Sequence, residues 1–382
     1  MTNLFFTEVH EELRKVIRRF VSKEVTPFIE EWEEAGRFPT EMLRQLAELG
    51  VLGARFPEKV GGQDGNYFMS LVLFEELARC GAGGILMSVA AQAEMATPPI
   101  FQFGSANQQE QFLRPAILGE KVAALAFTEP DFGLDLASIQ TRAVRDGDHW
   151  VINGRKTYVI NGTHADFILL AAQTSQDEGQ TEISLFVVET DLPGFSVFRR
   201  LETVGMRTSE IAEIMLEEVR LPHRNLLGEQ GKGYEYAMWT LQGVQLIEAI
   251  SAVSLAQVAF DLALDYANTR HSFGRPIGQN QVISHLLTKM STRLEAARQL
   301  IYRTTFKYSE GKVTPKEIAI AKLEASRLVS WVADRALQIY GGNGYMAEFP
   351  IERIWRDVRM YSTGIFGRDE NLKEIIAQEL GI

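Results

Sequence analysis

At 382 residues, 46% apolar and 23% charged, the chain has the make-up of a folded protein of about two or three domains, not of a disordered or fibrous one. A net charge of −11 argues against a nucleic-acid partner, and six scattered histidines with one cysteine argue against a metal site. Cys80 has no partner for an internal disulfide, which fits a reducing, cytoplasmic setting. No uninterrupted apolar run reaches about 18 residues, so no membrane segment is expected, and Met1–Phe6 lacks the basic start of a secretory signal.

The first part of the chain reads as helical. Leu13, Val16, Ile17, Phe20 and Val21 recur at helical spacing on one face. Further helices are predicted over 40–49, 68–79 and 107–118, separated by the turn-formers Gly61–Asn66 and Cys80–Gly84. The pattern changes near Lys121. Short β-rich runs follow: 122–127, 149–152, 157–160, 167–172, 183–188, 194–198 and 213–221. Asn153-Gly154 reads as a hairpin turn between the second and third of them. From about Gly233 the helical period returns, with 282–310 and 315–340 long enough for bundle helices. The predicted fold is α+β: a helical domain over 1–121, a central β-barrel or sandwich over 122–232, and a four-helix bundle over 233–382. A ligand site is expected at the domain junction.

The most informative stretch is Thr128-Glu129-Pro130-Asp131-Phe132-Gly133-Leu134-Asp135, where the β-rich region begins. A threonine, a glycine and backbone N–H groups at a strand end can donate to a cofactor's oxygens. This stretch resembles the "TEPxxGSD" signature of the acyl-CoA dehydrogenase family. Other matches follow in order: Ile152–Gly162 resembles "INGxKxWITNG", Val204–Ser209 resembles "LGMRSS", and Val219–Gly228 the segment that leaves the β-domain. Arg270–Gln281 resembles "RxxFGxxIxxxQ", Gln338–Tyr345 resembles "QxxGGxGY", and Arg356–Arg359 resembles "RDxR". The resemblance spans essentially the whole chain. The stretch from Met87-Ser88 through Thr97-Pro98 and the segment Phe112–Ala116 look most like citronellyl-CoA-type and related branched-acyl members.

The resemblance implies FAD, bound where the β-domain meets the bundle, and a homo-oligomer built as a dimer of dimers. It carries flavin contacts onto Leu125, Phe127, Thr128, Gly133 and Leu134 in one strand and loop, and onto Tyr158, Val159 and Ile160 in another. It carries contacts made from a neighbouring subunit onto Arg270, Phe273, Gln281, Gln338, Gly341 and Gly342. An arginine fork suits a pyrophosphate, and paired glycines let backbone come close to a cofactor. The implied reaction is α,β-dehydrogenation of an acyl thioester, on CoA or an acyl carrier protein, with electrons leaving to an electron-transfer flavoprotein or to oxygen.

That reaction needs a carboxylate at one of two places. Here they hold Val244, on the bundle helix, and Ile365, in the loop after "RDxR", and neither can take a proton. Leu134 stands where the family has the serine of "GSD", Ile160 where it has the threonine of "WIT", and Tyr158 replaces the tryptophan. Glu248, one turn after Val244, is the carboxylate best placed to stand in as base, displaced by about 5.4 Å along the helix. Asp369 and Glu370 read as helix N-terminal acids, Glu129 as structural, and Met87, Met95 and Met290 as packing. Two alternatives stay open on the same fold: a flavin-dependent oxygenase, and a catalytically silent partner subunit.

Overall fold

The computed structural model describes residues 4–133, 135–177, 180–364 and 367–382. The predictions at Leu134 and Ile365 therefore lie outside the described residues. Helices come first: α1 (Glu8–Phe20), α2 (Ile29–Ala35), α3 (Glu41–Glu48), α4 (Tyr67–Leu77), α5 (Gly83–Ala90), α6 (Thr97–Phe103), α7 (Ala106–Gln108) and α8 (Arg114–Ile117). Thr7 and His10 form a capping box at the start of α1, and the other ring nitrogen of His10 lies 3.0 Å from Asn66 Oδ1. Asn66 in turn caps α4 by accepting from Phe68 N–H. One short polar chain thus fixes the start of both helices. Val16, expected on the apolar face of α1, is 46% exposed, while His10 and Ile17 are the buried residues of that helix.

The helix expected over 107–118 is built from α7, a wider-wound turn over Gln109–Leu113, and α8. Pro115 lacks the N–H that would bond back into the preceding turn, so the regular ladder cannot run through. A second wide turn, Ala91–Ala96, precedes Pro98 and Pro99 for the same reason. The Thr97 hydroxyl donates to the carbonyls of Gln92 and Ala93 there.

The middle of the chain forms one eight-stranded sheet: β1 (Ala123–Ala126), β2 (Arg142–Asp146), β3 (His149–Ile160), β4 (Phe167–Asp177), β5 (Gln180–Glu189), β6 (Phe195–Arg200), β7 (Ile211–Pro222) and β8 (Leu226–Leu227). The order is β6-β7-β3-β2-β4-β5-β8, and β1 adds to β4 in parallel. The two faces separate by alternation along each strand. Ala124, Ala126, Ile168, Leu170, Phe186 and Val188 fill the sheet's own core. Leu125, Phe127, Phe167, Leu169, Leu185 and Val187 join the core shared with the helices. Burial on both faces is why these strands read as unbroken apolar runs.

The hairpin expected at Asn153-Gly154 is not there. β3 runs straight through both residues, and the turn lies at Gly147-Asp148, where Asp146 pairs with His149. Gly154 instead marks a β-bulge, with a register shift against β7 between Ile152 and Gly154. A Cβ there would sit 2.4 Å from the Thr141 hydroxyl, so the glycine serves a close approach and not a reversal.

A pair of two-residue strands, β9 (His271–Ser272) and β10 (Arg275–Pro276), interrupts the C-terminal helices α9 (Gly233–Thr269), α10 (Gln281–Ser309), α11 (Pro315–Tyr340), α12 (Pro350–Asp357), α13 (Met360–Thr363) and α14 (Asp369–Leu380). Contrary to the expectation from uninterrupted runs, α9 is long and apolar enough to cross a membrane by length and composition. It is a core helix: 67% of its most apolar stretch is buried inside the protein, against α11, α4 and β5.

Candidate active site

A cavity of about 460 Å³ opens where the sheet meets the helices, a size in the usual range for small-molecule sites. The loop after β1 contributes Gly133, the sheet contributes Tyr158, Ile160 and Ile211, and α5 contributes Met87. The C-terminal helices contribute Glu248, Met360 and Thr363, and Arg368 joins them from the position just before α14.

The sheet wall is built by a second bulge in β3, between Lys156 and Val159. Tyr158 sits in it with φ 56°, a backbone state uncommon for a tyrosine, and its side chain is half-exposed on the cavity. Val159 points the other way, into the sheet core. The loop after β1 is tied to this bulge from below. Thr157 N–H donates to Thr128 O at 2.9 Å, and the buried Lys156 ammonium donates to Phe127 O at 3.1 Å and to Glu129 Oε1 at 2.8 Å. Glu129 also accepts from Gln140 N–H, Thr141 N–H and the Thr141 hydroxyl. Burial pushes the Glu129 carboxyl up, but Lys156 and these donors outweigh it and hold it below its ordinary value. Burial pulls Lys156 down to about 8 against the attraction of Glu129. Glu129 touches the cavity yet spends its oxygens on the scaffold, in keeping with a structural role.

The helix wall carries a different pair. Glu248 is buried in the middle of α9, with Oε2 2.9 Å from the buried Nζ of Lys322 on α11. Lys322 also donates to Tyr361 O at 2.9 Å, and its ammonium lies 5.2 Å from the centre of the Tyr361 ring. Glu248 Oε1 is buried and has no hydrogen-bond partner. Val244, one turn earlier, is fully buried and apolar.

Asp357 fastens the three parts of the chain around the cavity. Its carboxylate accepts from Gly83 N–H at 2.8 Å, at the start of α5, and from Met206 N–H at 2.6 Å, in the loop before β7. Met206 itself lines the cavity. Burial and the nearby Glu33 push Asp357 up to about 7, against the two N–H donors and Arg356.

Of the residues predicted from the sequence, Gly133, Tyr158, Ile160 and Glu248 meet at the cavity. Leu125, Phe127 and Thr128 are buried behind its sheet wall and do not line it. Arg270, Phe273, Gln281, Gln338, Gly341 and Gly342 all lie exposed, away from the cavity, with Phe273 102% exposed. Lys322 and Arg368 were not anticipated. Lys322 had a signal: it falls on the buried stripe Ile318, Ala321, Ala325, Val329, where a lone charge demands a partner.

An apolar cavity lies between a helical domain, a β-sheet and a helical bundle, with a half-exposed aromatic on one wall and a buried carboxylate on the other, the make-up of a small-molecule site at a domain junction. Models of the acyl-CoA dehydrogenase N-terminal, middle and C-terminal domains match residues 7–120, 124–219 and 231–381. The chain is 36% identical over 358 residues to a short-chain specific acyl-CoA dehydrogenase of Megasphaera elsdenii, covering 93% of each. It is 35% identical over 361 residues to the CarC subunit of a caffeyl-CoA reductase-Etf complex of Acetobacterium woodii, covering 94% of this chain and 95% of that protein. Its structure matches an acyl-CoA dehydrogenase from Geobacillus kaustophilus with a TM-score of 0.96 and 36% identity over all of both chains. It matches a Mycobacterium smegmatis glutaryl-CoA dehydrogenase in complex with FADH2 with a TM-score of 0.93 and 26% identity, covering 99% of this chain and 96% of that one. The chain belongs to the acyl-CoA dehydrogenase family, whose members are oxidoreductases acting on CH–CH groups.

Proposed function

We propose that this protein carries out FAD-dependent α,β-dehydrogenation of an acyl thioester, presented on CoA or on an acyl carrier protein, with Glu248 as the base. The observation that carries the reading is the free, buried oxygen of Glu248 on an apolar cavity of a family that performs this chemistry.

The residues present suit the cofactor. Gly133 has φ 54° and nothing within 4 Å of where a Cβ would be, so its backbone is open to a bulky group. Tyr158 offers a half-exposed aromatic ring beside it. FAD, when bound, supplies the acceptor for the hydride that leaves the substrate β-carbon. The chain's own work is on the proton and on position. Glu248 Oε1 takes the α-proton, leaving the C–H electron pair to form the new double bond as the β-hydride departs. Met87, Met206 and Met360 exclude water from the acyl group and adapt to its shape.

The exposed set Arg270, Phe273, Gln281, Gln338, Gly341 and Gly342 supports a homo-oligomer in which each copy completes the cofactor site of another. The relative whose name includes an Etf complex supports an electron-transfer flavoprotein as electron acceptor. The apolar Val244 favours the second reading, an oxygenase or silent partner subunit, because neither requires a carboxylate there.

The test is the visible spectrum of the purified protein before and after anaerobic addition of saturated acyl-CoAs. Bleaching of flavin bands in the wild type, lost in Glu248→Gln, is the expected result. Flavin that no thioester reduces selects oxygen chemistry, and protein that binds no flavin selects the silent subunit. Bleaching that survives Glu248→Gln removes Glu248 as the base.

A further inference from the structure

Glu248 does not stand alone. A carboxylate that abstracts a proton must present one oxygen to the substrate in a fixed direction, and the glutamate side chain has three rotatable bonds with which to lose it. In this fold one of its two oxygens is already committed. Lys322 Nζ holds Oε2 at 2.9 Å, and the lysine is itself fixed by donating to Tyr361 O at 2.9 Å. Tyr361 is the second residue of α13, the short helix whose Met360 and Thr363 line the cavity. Lys322 therefore links the carboxylate on one wall to the backbone of the neighbouring wall. Both ends of the pair are almost fully buried, so no water competes for the ammonium.

We propose that Lys322 is a positioning residue for the reaction: by holding Oε2 of Glu248 and the carbonyl of Tyr361 together, it leaves Oε1 as the oxygen directed at the substrate α-carbon. Lys322 touches neither substrate nor cofactor in this role. The inference rests on the reading of Glu248 as the base. It adds a reason that a base displaced by one helical turn can work: the lysine, absent from the sequence neighbourhood of Glu248, sets its aim from another helix.

The experiment is anaerobic rapid-mixing of the flavin-loaded enzyme with the saturated acyl-CoA that reduces wild type fastest. The variants are Lys322→Met, Lys322→Arg and Glu248→Gln. Lys322→Met is expected to slow flavin reduction at saturating acyl-CoA by on the order of 100-fold, the cost of misplacing a reacting group by about 1 Å. Flavin content and acyl-CoA affinity should stay near wild type. The isotope effect from α-deuterated substrate should rise, because proton abstraction becomes the slow event. Lys322→Arg, which keeps the cation and shifts its head group, should recover the rate to about tenfold below wild type. A Lys322→Met enzyme that reduces at the wild-type rate, or that loses rate only through weaker acyl-CoA binding, overturns the positioning role. If Lys322→Met does not fold, Lys322→Arg decides alone: a wild-type rate with an unchanged isotope effect overturns the proposal, and a roughly tenfold loss at unchanged affinity supports it. Glu248→Gln separates the two readings. If it leaves reduction intact, the base assignment fails and Lys322 falls with it. If it abolishes reduction while Lys322→Met does not, the lysine inference fails alone.

Discussion

Replacing Lys156 with methionine tests how the loop beneath the cavity is held. Lys156 is fully buried and faces Glu129, which accepts hydrogen bonds from Gln140 N–H, Thr141 N–H and the Thr141 hydroxyl as well. Methionine fills the same volume but leaves a buried carboxylate without its counter-charge. Breaking a buried pair from one side costs about 3–5 kcal/mol. Three neutral donors stay on Glu129, so the lower end, about 3 kcal/mol, applies, roughly a 100-fold fall in the folded-to-unfolded ratio. The double variant Glu129→Gln/Lys156→Met removes both charges and should cost less than the two single losses added together. A urea-unfolding cycle over the four proteins measures this directly, with a coupling of about 2 kcal/mol between the sites. A single Lys156→Met variant within about 1 kcal/mol of wild type, or losses that simply add, would show that Thr141 and Gln140 hold Glu129 without the lysine.

Two further outcomes follow from buried carboxylates. Burial raises Asp357 to about 7, above an ordinary value of 3.8, so the folded state keeps its proton where the unfolded state has lost it. The stability this group contributes is fully present below about pH 4 and is lost as pH rises through about 7. Asp357→Asn removes the titration, so the variant should gain on wild type between those limits in melting temperature; parallel curves would refute the assignment. Glu76 is the opposite case. Burial pushes it up, but Arg18 and Arg14 outweigh burial and hold it below its usual value. Its contribution is present above the usual carboxylate range and is lost as pH falls through its lowered value. Glu76→Gln should cost about 1.5–3 kcal/mol, since Arg18 loses its two-bond partner while Arg14 keeps Glu75. Hydrogen exchange should show α1 losing protection first, and unchanged protection there would count against the assignment.

Much of this molecule was legible in the chain itself. The switch from helical periodicity to short β-rich runs near Lys121, and back near Gly233, follows from which side chains must face a core, and it marks the order helices, sheet, helices. The ordered motifs from Thr128-Glu129-Pro130 to Arg356-Asp357 carried the family, because they are local strings that the chain keeps whatever its packing. Local strings misled where backbone could serve two ends: Asn153-Gly154 suits a turn, but pairing along β3 and β7 continues through it, and only the partner strand decides between turn and bulge. Glu248 was visible as the one carboxylate near Val244, yet the sequence could not say that one of its oxygens is occupied and the other free. That depends on Lys322, which lies 74 positions further along the chain and reaches Glu248 only because α11 packs on α9. The period of a helix shows which face is buried; what stands opposite that face is a property of the folded chain, because burial makes a charge seek whatever partner the packing brings within reach.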